Sequence, residues 1–138
     1  MADVKAFIKK WNGRTLQDDG SRVSKEYHSF QVAFFNAMRK IAASLGGELV
    51  NHSYGHYDMS GFIKRGDKCV YFAYSNSLGR GGRSCVNLKN DGNWISSMLC
   101  RTAANEKDYH GGRNNDCYFE NCEDVIERLL NTEHKRAF

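Results

Sequence analysis

YDMSGFIKRGDKCVYFAY, residues 57–74, decides the architecture. Side chains alternate on both sides of Arg65-Gly66-Asp67. The pattern predicts two strands, Tyr57 to Lys64 and Lys68 to Tyr74, joined by a tight hairpin turn. Upstream, Glu48 to Ser53 is a short strand candidate. Before it, Tyr27, Phe30, Phe34, Met38, Ile41 and Leu45 recur at helical spacing, which predicts a long helix from Lys25 to Leu45. Ser24 can cap its start and Gly46-Gly47 supplies its stop. Val4, Phe7, Ile8 and Trp11 form one stripe of a first helix at residues 3–11, and the polar stretch 12–23 reads as a loop.

Downstream, Ser84 to Leu88 and Ser97 to Thr102 are further strand candidates. Residues 104–120 are polar and read as a long loop. Asn121 can cap a last helix at about 122–131. Consecutive strands with short links make an antiparallel sheet. The expected fold class is α+β: four to five strands packed against the long helix, with short terminal helices, in a single domain over 1–138.

At 138 residues the chain is long enough to bury one core. It has no proline, so its turns rest on thirteen glycines and on Asn, Asp and Ser. No apolar run reaches the roughly 18 residues of a membrane span. MADVKAFIKKW lacks the apolar segment of a signal peptide, so a cytoplasmic protein without a membrane partner is expected. The five cysteines cannot all pair internally, and Cys69, Cys85 and Cys100 sit in or beside apolar runs, where reduced thiols pack as small hydrophobes.

The formal net charge of +4 is unevenly spread. Residues 64–113 carry nine basic side chains against four acidic ones, whereas 114–138 carry three against six. A basic middle and an acidic end are therefore expected. Within the basic part, Gly79-Arg80-Gly81-Gly82-Arg83 combines a backbone that can approach a partner with arginine forks that bond carboxylates or phosphates in pairs. It lacks the Lys-Ser/Thr ending of a P-loop. Its plainer reading is a solvated connection. The segment 101–115 is long for a structureless loop and offers Tyr109, His110, Arg113, Asn114 and Asn115 for stacking and hydrogen bonding. With Lys64 and Arg65 of the hairpin, the candidate partner-binding residues are Arg80, Arg83, Arg101, Tyr109 and Arg113.

His52, His56 and Asp58 sit on a turn with no further ligand at metal spacing. Cys117-x4-Cys122 is half of a zinc pattern whose other half would have to come from Cys100 and His110. No metal or other cofactor is expected. The chain has no G-x-S-x-G, H-E-x-x-H or phosphate-binding lysine motif, so an enzyme is not the favoured reading.

GHYDMSGFIKRGDKCVYFAYSNSLGRGGR and MLCRTAANEKDYHGGRNN resemble small proteins carried by phages and mobile elements of Gram-positive bacteria. The resemblance implies a counter-defence protein of the anti-CRISPR class. Its partner would be a CRISPR effector nuclease or its guide-RNA complex, inhibited by stoichiometric binding. That class shares no motif, so it assigns no residue. The alternative from the residues is a small basic domain that binds DNA or RNA directly.

Overall fold

The computed structural model describes residues 2–17, 25–54, 59–75, 83–90 and 98–135, with backbone only at 2, 3, 17 and 83–85. Helix α1 (Ala2–Trp11) is followed by β1 (Thr15–Gln17), the long helix α2 (Lys25–Ser44), and strands β2 (Glu48–Ser53), β3 (Met59–Arg65) and β4 (Lys68–Tyr74). Then come β5 (Arg83–Cys85), β6 (Met98–Ala103), β7 (Asn115–Cys117), a 3-10 turn at Phe119–Asn121 and helix α3 (Cys122–Leu130). Five strands form an antiparallel sheet in the order β2-β3-β4-β6-β7. The α+β class is as the sequence predicts.

The hairpin forms as expected. Arg65 pairs with Lys68, and between them Gly66 alone has positive φ (62°), the arrangement of a II′ turn. Helix α2 ends at Gly46, φ 76°. Gly47 N–H donates to Ala42 O and Gly46 N–H to Ala43 O, at 2.9 and 3.1 Å, which is a Schellman stop. The Ser24 cap lies outside the described residues.

Four expectations need correction. The polar stretch 12–23 contains β1, whose single apolar residue, fully buried Leu16, gives no periodic signal. Strand β5 does not join the main sheet but pairs with β1 in a two-stranded ribbon. The segment 104–120 is not all loop, because β7 adds to the edge of β6 and the 3-10 turn follows. Strands β1 and β7 are three residues long each and stand on pairing with distant strands, not on their own periodicity. Asn121 precedes α3 but makes no side-chain cap.

One sheet face packs on the helices. Phe34 of α2 is fully buried and meets rings from three other elements. Its centroid lies 6.4 Å from Phe7 (α1), 5.1 Å from Tyr74 (β4), 6.1 Å from Phe72 (β4) and 5.6 Å from Phe119. Tyr74 also fastens the segment after β5, accepting from Asn87 N–H at 3.3 Å. The second face is covered too. Cys69, Tyr71 and Ala73 of β4 point away from the helices, yet all are buried, with Phe62 and Ala103 beside them. Their cover is the segment after β6. Among the described residues, no helix is long and apolar enough to cross a membrane.

Truncating Phe34 removes the ring that joins α1, β4 and the 3-10 turn. Phe34→Ala is expected to cost about 3–5 kcal/mol in urea unfolding. Val32→Ala, on the exposed side of the same helix, is expected to stay within about 0.5 kcal/mol.

Candidate interaction surface

The cover of the second face is built by hydrogen bonds from side chains to backbone. Asp108, whose side chain is 8% exposed, accepts from Ala104 N–H at 2.8 Å and from His110 N–H at 3.1 Å. Asn105 Oδ1 accepts from Lys107 N–H at 2.8 Å. The bonds from Lys107 and His110 N–H are Asx-type turns, which Asn and Asp form because a short polar side chain reaches the backbone two residues on, and the bond from Ala104 N–H reaches Asp108 from the start of the segment. Gly112 N–H donates to Thr102 O at 2.8 Å, folding the segment back on its own strand. A Cβ on Gly111 would collide with the Thr102 carbonyl, and one on Gly112 with the Thr102 hydroxyl. The two glycines are thus fixed by close approach rather than by positive φ.

Arg101 is the clamp. Its guanidinium lies 4.6 Å from the centre of the Tyr71 ring and donates to Tyr109 O (2.7 Å) and Asn114 Oδ1 (3.2 Å). Tyr109 packs its ring edge-on to Phe62 and Tyr71, at 5.3 and 5.8 Å. From the other side, Asn51 donates to Glu106 O at 2.7 Å. Asn51 sits at the irregularity between Val50 and Ser53, with φ 52°. The bulge re-aims its amide at the segment. At the far end, His134 Nδ1 is 3.0 Å from Thr102 Oγ1, and its Nε2 is 3.7 Å from Asp108 Oδ2. The tail after α3 is thereby joined to the same segment.

The candidate residues sort themselves by how their charges are used. Arg101 serves the fold. Arg65 does so as well, donating to Leu45 O at the end of α2 (3.1 Å) and to Asn131 Oδ1 (2.8 Å). Lys64 pairs with Glu106 across 3.7 Å, both about 40% exposed. A backbone hydrogen bond and the Lys64 ammonium hold the Glu106 carboxyl below its ordinary value. Tyr109 is half-buried. Arg113 is exposed and shares a hollow of about 350 Å³ with Lys135. Arg83 lies in the β1–β5 ribbon, a different sheet, with only its backbone described. Arg80 lies outside the described residues. Lys64, Arg101, Tyr109 and Arg113 therefore come together around one segment, and Arg83 belongs elsewhere. Lys107 and His110 are exposed on that segment too.

The cysteine reading is partly met. Cys100 and Cys117, diagonal neighbours on β6 and β7, hydrogen-bond through their thiols, with Cys122 close by. That bond from Cys100 lowers the Cys117 thiol, while the same bond and burial push Cys100 up. Burial alone leads the rise of Cys122. Burial also pushes Cys69 up to about 11. His110 is not with them. Among the described residues, no group of three His, Cys, Asp or Glu side chains is arranged to hold a metal ion. Side chains at Cys85, His56 and Asp58 are outside what is described. His52 lies against the Phe35 ring at 4.7 Å, and burial followed by the Arg39 charge lowers its pKa.

No protein-family model, no curated protein and no solved structure matches the chain.

Sequence reasoning missed Asn51, Asp108 and His134 as builders of this surface. The spacing Asn105-x-Lys107 and Asp108-x-His110 carries an Asx-turn signal that could have revealed part of it. The positive φ at Asn51 has no such signal.

Gly111→Ala drives a methyl into the Thr102 carbonyl and should lower stability by about 2–4 kcal/mol. Arg101→Met keeps the stem but removes two hydrogen bonds, with an expected loss of about 1–3 kcal/mol. Thermal unfolding of both variants beside the parent chain measures these losses.

Proposed function

We propose that the chain is a non-catalytic, stoichiometric binding protein. Its contact surface is the 104–114 segment, with Lys107, His110 and Arg113 facing outward. One observation supports this above the others. The segment is long and polar, yet it is held from beneath by Arg101, Tyr109 and Asp108, while its outer side chains stay exposed. A pre-ordered surface binds with little loss of loop entropy, which suits tight capture without turnover. Exposed guanidinium and ammonium groups select an acidic partner and speed its encounter.

The resemblance to small phage and mobile-element proteins gives the partner its class: an RNA-guided bacterial nuclease, blocked on its protein surface or on its guide. Such effectors hold a guide RNA whose phosphates are anionic, in a channel that is itself positively charged. Arg113 and Lys135 beside one hollow would meet a carboxylate or phosphate pair. Arg80 and Arg83 are kept as a second contact.

The test is titration of purified RNA-guided nucleases with the full chain during target cleavage. Inhibition should saturate near one molecule per effector. Lys107→Glu/Arg113→Glu should weaken it by about tenfold or more, as loss of steering and of charge pairs requires, and leave the melting temperature nearly unchanged. Inhibition at far below stoichiometric amounts would contradict the proposal. Binding of free DNA or RNA that falls steeply with salt, without effect on any nuclease, would instead favour a nucleic-acid-binding domain.

A further inference from the structure

Away from the 104–114 segment, α1 and the 3-10 turn enclose a groove of about 660 Å³, within the range of small-molecule sites. Its apolar surface comes from half-buried Val4 and Ile8, with Ile41 and Phe119 nearly fully buried beneath them. Val4 and Ile8 stand one helical turn apart on α1, and Ile41 and Phe119 lie against the core beneath. Lys5 and Lys9 stand along the α1 rim. Lys89 stands among the same lining residues, its backbone fixed where Asn12 Oδ1 accepts from Leu88 and Lys89 N–H at 2.8 and 3.2 Å.

Two carboxylates also line the groove, and both are engaged. Glu120 Oε1 accepts from Asn90 N–H at 2.9 Å, and Glu123 Oε1 accepts from the Ser44 hydroxyl at 2.6 Å. Among the described residues, the Lys5, Lys9 and Lys89 ammonium groups have no ion-pair partner within 4.0 Å. The rim thus presents three unpaired cations over an apolar wall, with its anions already bonded to the protein.

We propose that this groove takes an amphipathic anion: a ligand with an apolar body a few methylenes to one ring system long and a single carboxylate or phosphate head. The body would lie along Val4, Ile8 and Phe119. The head would reach the lysines, whose flexible stems let three point charges converge on one anion. A neutral lipid would leave the ammonium groups without a counter-charge. The inference is independent of the proposed function, since it uses neither its residues nor its partner.

The probe is sodium decanoate, titrated at submicellar concentration into the isotope-labelled full chain and followed by amide NMR. Decyl phosphate and decanol are parallel arms. Decanoate or decyl phosphate should shift Val4, Ile8, Ile41 and Phe119 amides with single-site saturation, and the better of the two identifies the head group. Decanol should bind about tenfold or more weakly, the factor set by losing the charge contact. Lys5→Glu/Lys9→Glu/Lys89→Glu should remove anion binding with an unchanged circular dichroism spectrum. Absence of saturable shifts at those four residues would overturn the proposal. So would equal binding of decanol and decanoate, or full binding by the triple variant.

Discussion

Strand β4 is buried on both faces, and most of the molecule follows from that. An antiparallel sheet usually keeps one face wet. Here Val70, Phe72 and Tyr74 pack under α2, and Cys69, Tyr71 and Ala73 are buried on the opposite side. Water must therefore be excluded twice. The helices do it on one side through the ring cluster around Phe34. On the other side no helix is available among the described elements, so an irregular segment has to serve. A loop laid on an apolar face must satisfy its own backbone groups. Asn105, Asp108 and Arg101 are the residues that meet this demand.

That requirement links fold to surface. The same hydrogen bonds that let the 104–114 segment cover Tyr71 also fix the positions of the side chains on its outer side. Cations in this region divide accordingly. The Arg65 and Arg101 forks face inward onto carbonyls, where a planar donor set satisfies several acceptors at once. Lys107, Arg113 and Lys135 remain exposed. The proposed binding role rests on this division, and so does the expectation that charge reversal on the outer set and truncation of the inner set give different phenotypes.

The long helix, the hairpin and the antiparallel character of the sheet were legible in the chain, because α2 and β3–β4 each carry enough side chains to show a period. The membership of the sheet was not, since β5 leaves it and β7 joins it. A tight turn was legible in Arg65-Gly66-Asp67, though not its II′ type. The second covered face was not legible, because the alternation around the turn pointed to a single face under the long helix, whereas Cys69, Tyr71 and Ala73 are buried as well. What could not be read were pieces held by partners distant in sequence. Strand β1 has only Leu16 to announce it, and β7 exists because Met98, Leu99 and Cys100 lie beside it. Arg101 looked like a contact residue because composition does not show direction. Only its placement opposite Tyr71 in the β4–β6 register reveals that it stacks inward. Among the described side chains of the predicted set, Arg113, which follows Gly111-Gly112, is exposed as the expected use requires.

The central claim is that the 104–114 segment is an ordered part of the fold and not a loose connection. Amide hydrogen exchange of the native chain tests it most directly, at the Ala104, His110 and Gly112 N–H groups. These donate to Asp108 and to the Thr102 carbonyl. The account predicts slow exchange at all three, released only with the opening of β4 and β6. Exchange at the rate of an unstructured peptide, while the β4 amides stay protected, would contradict it.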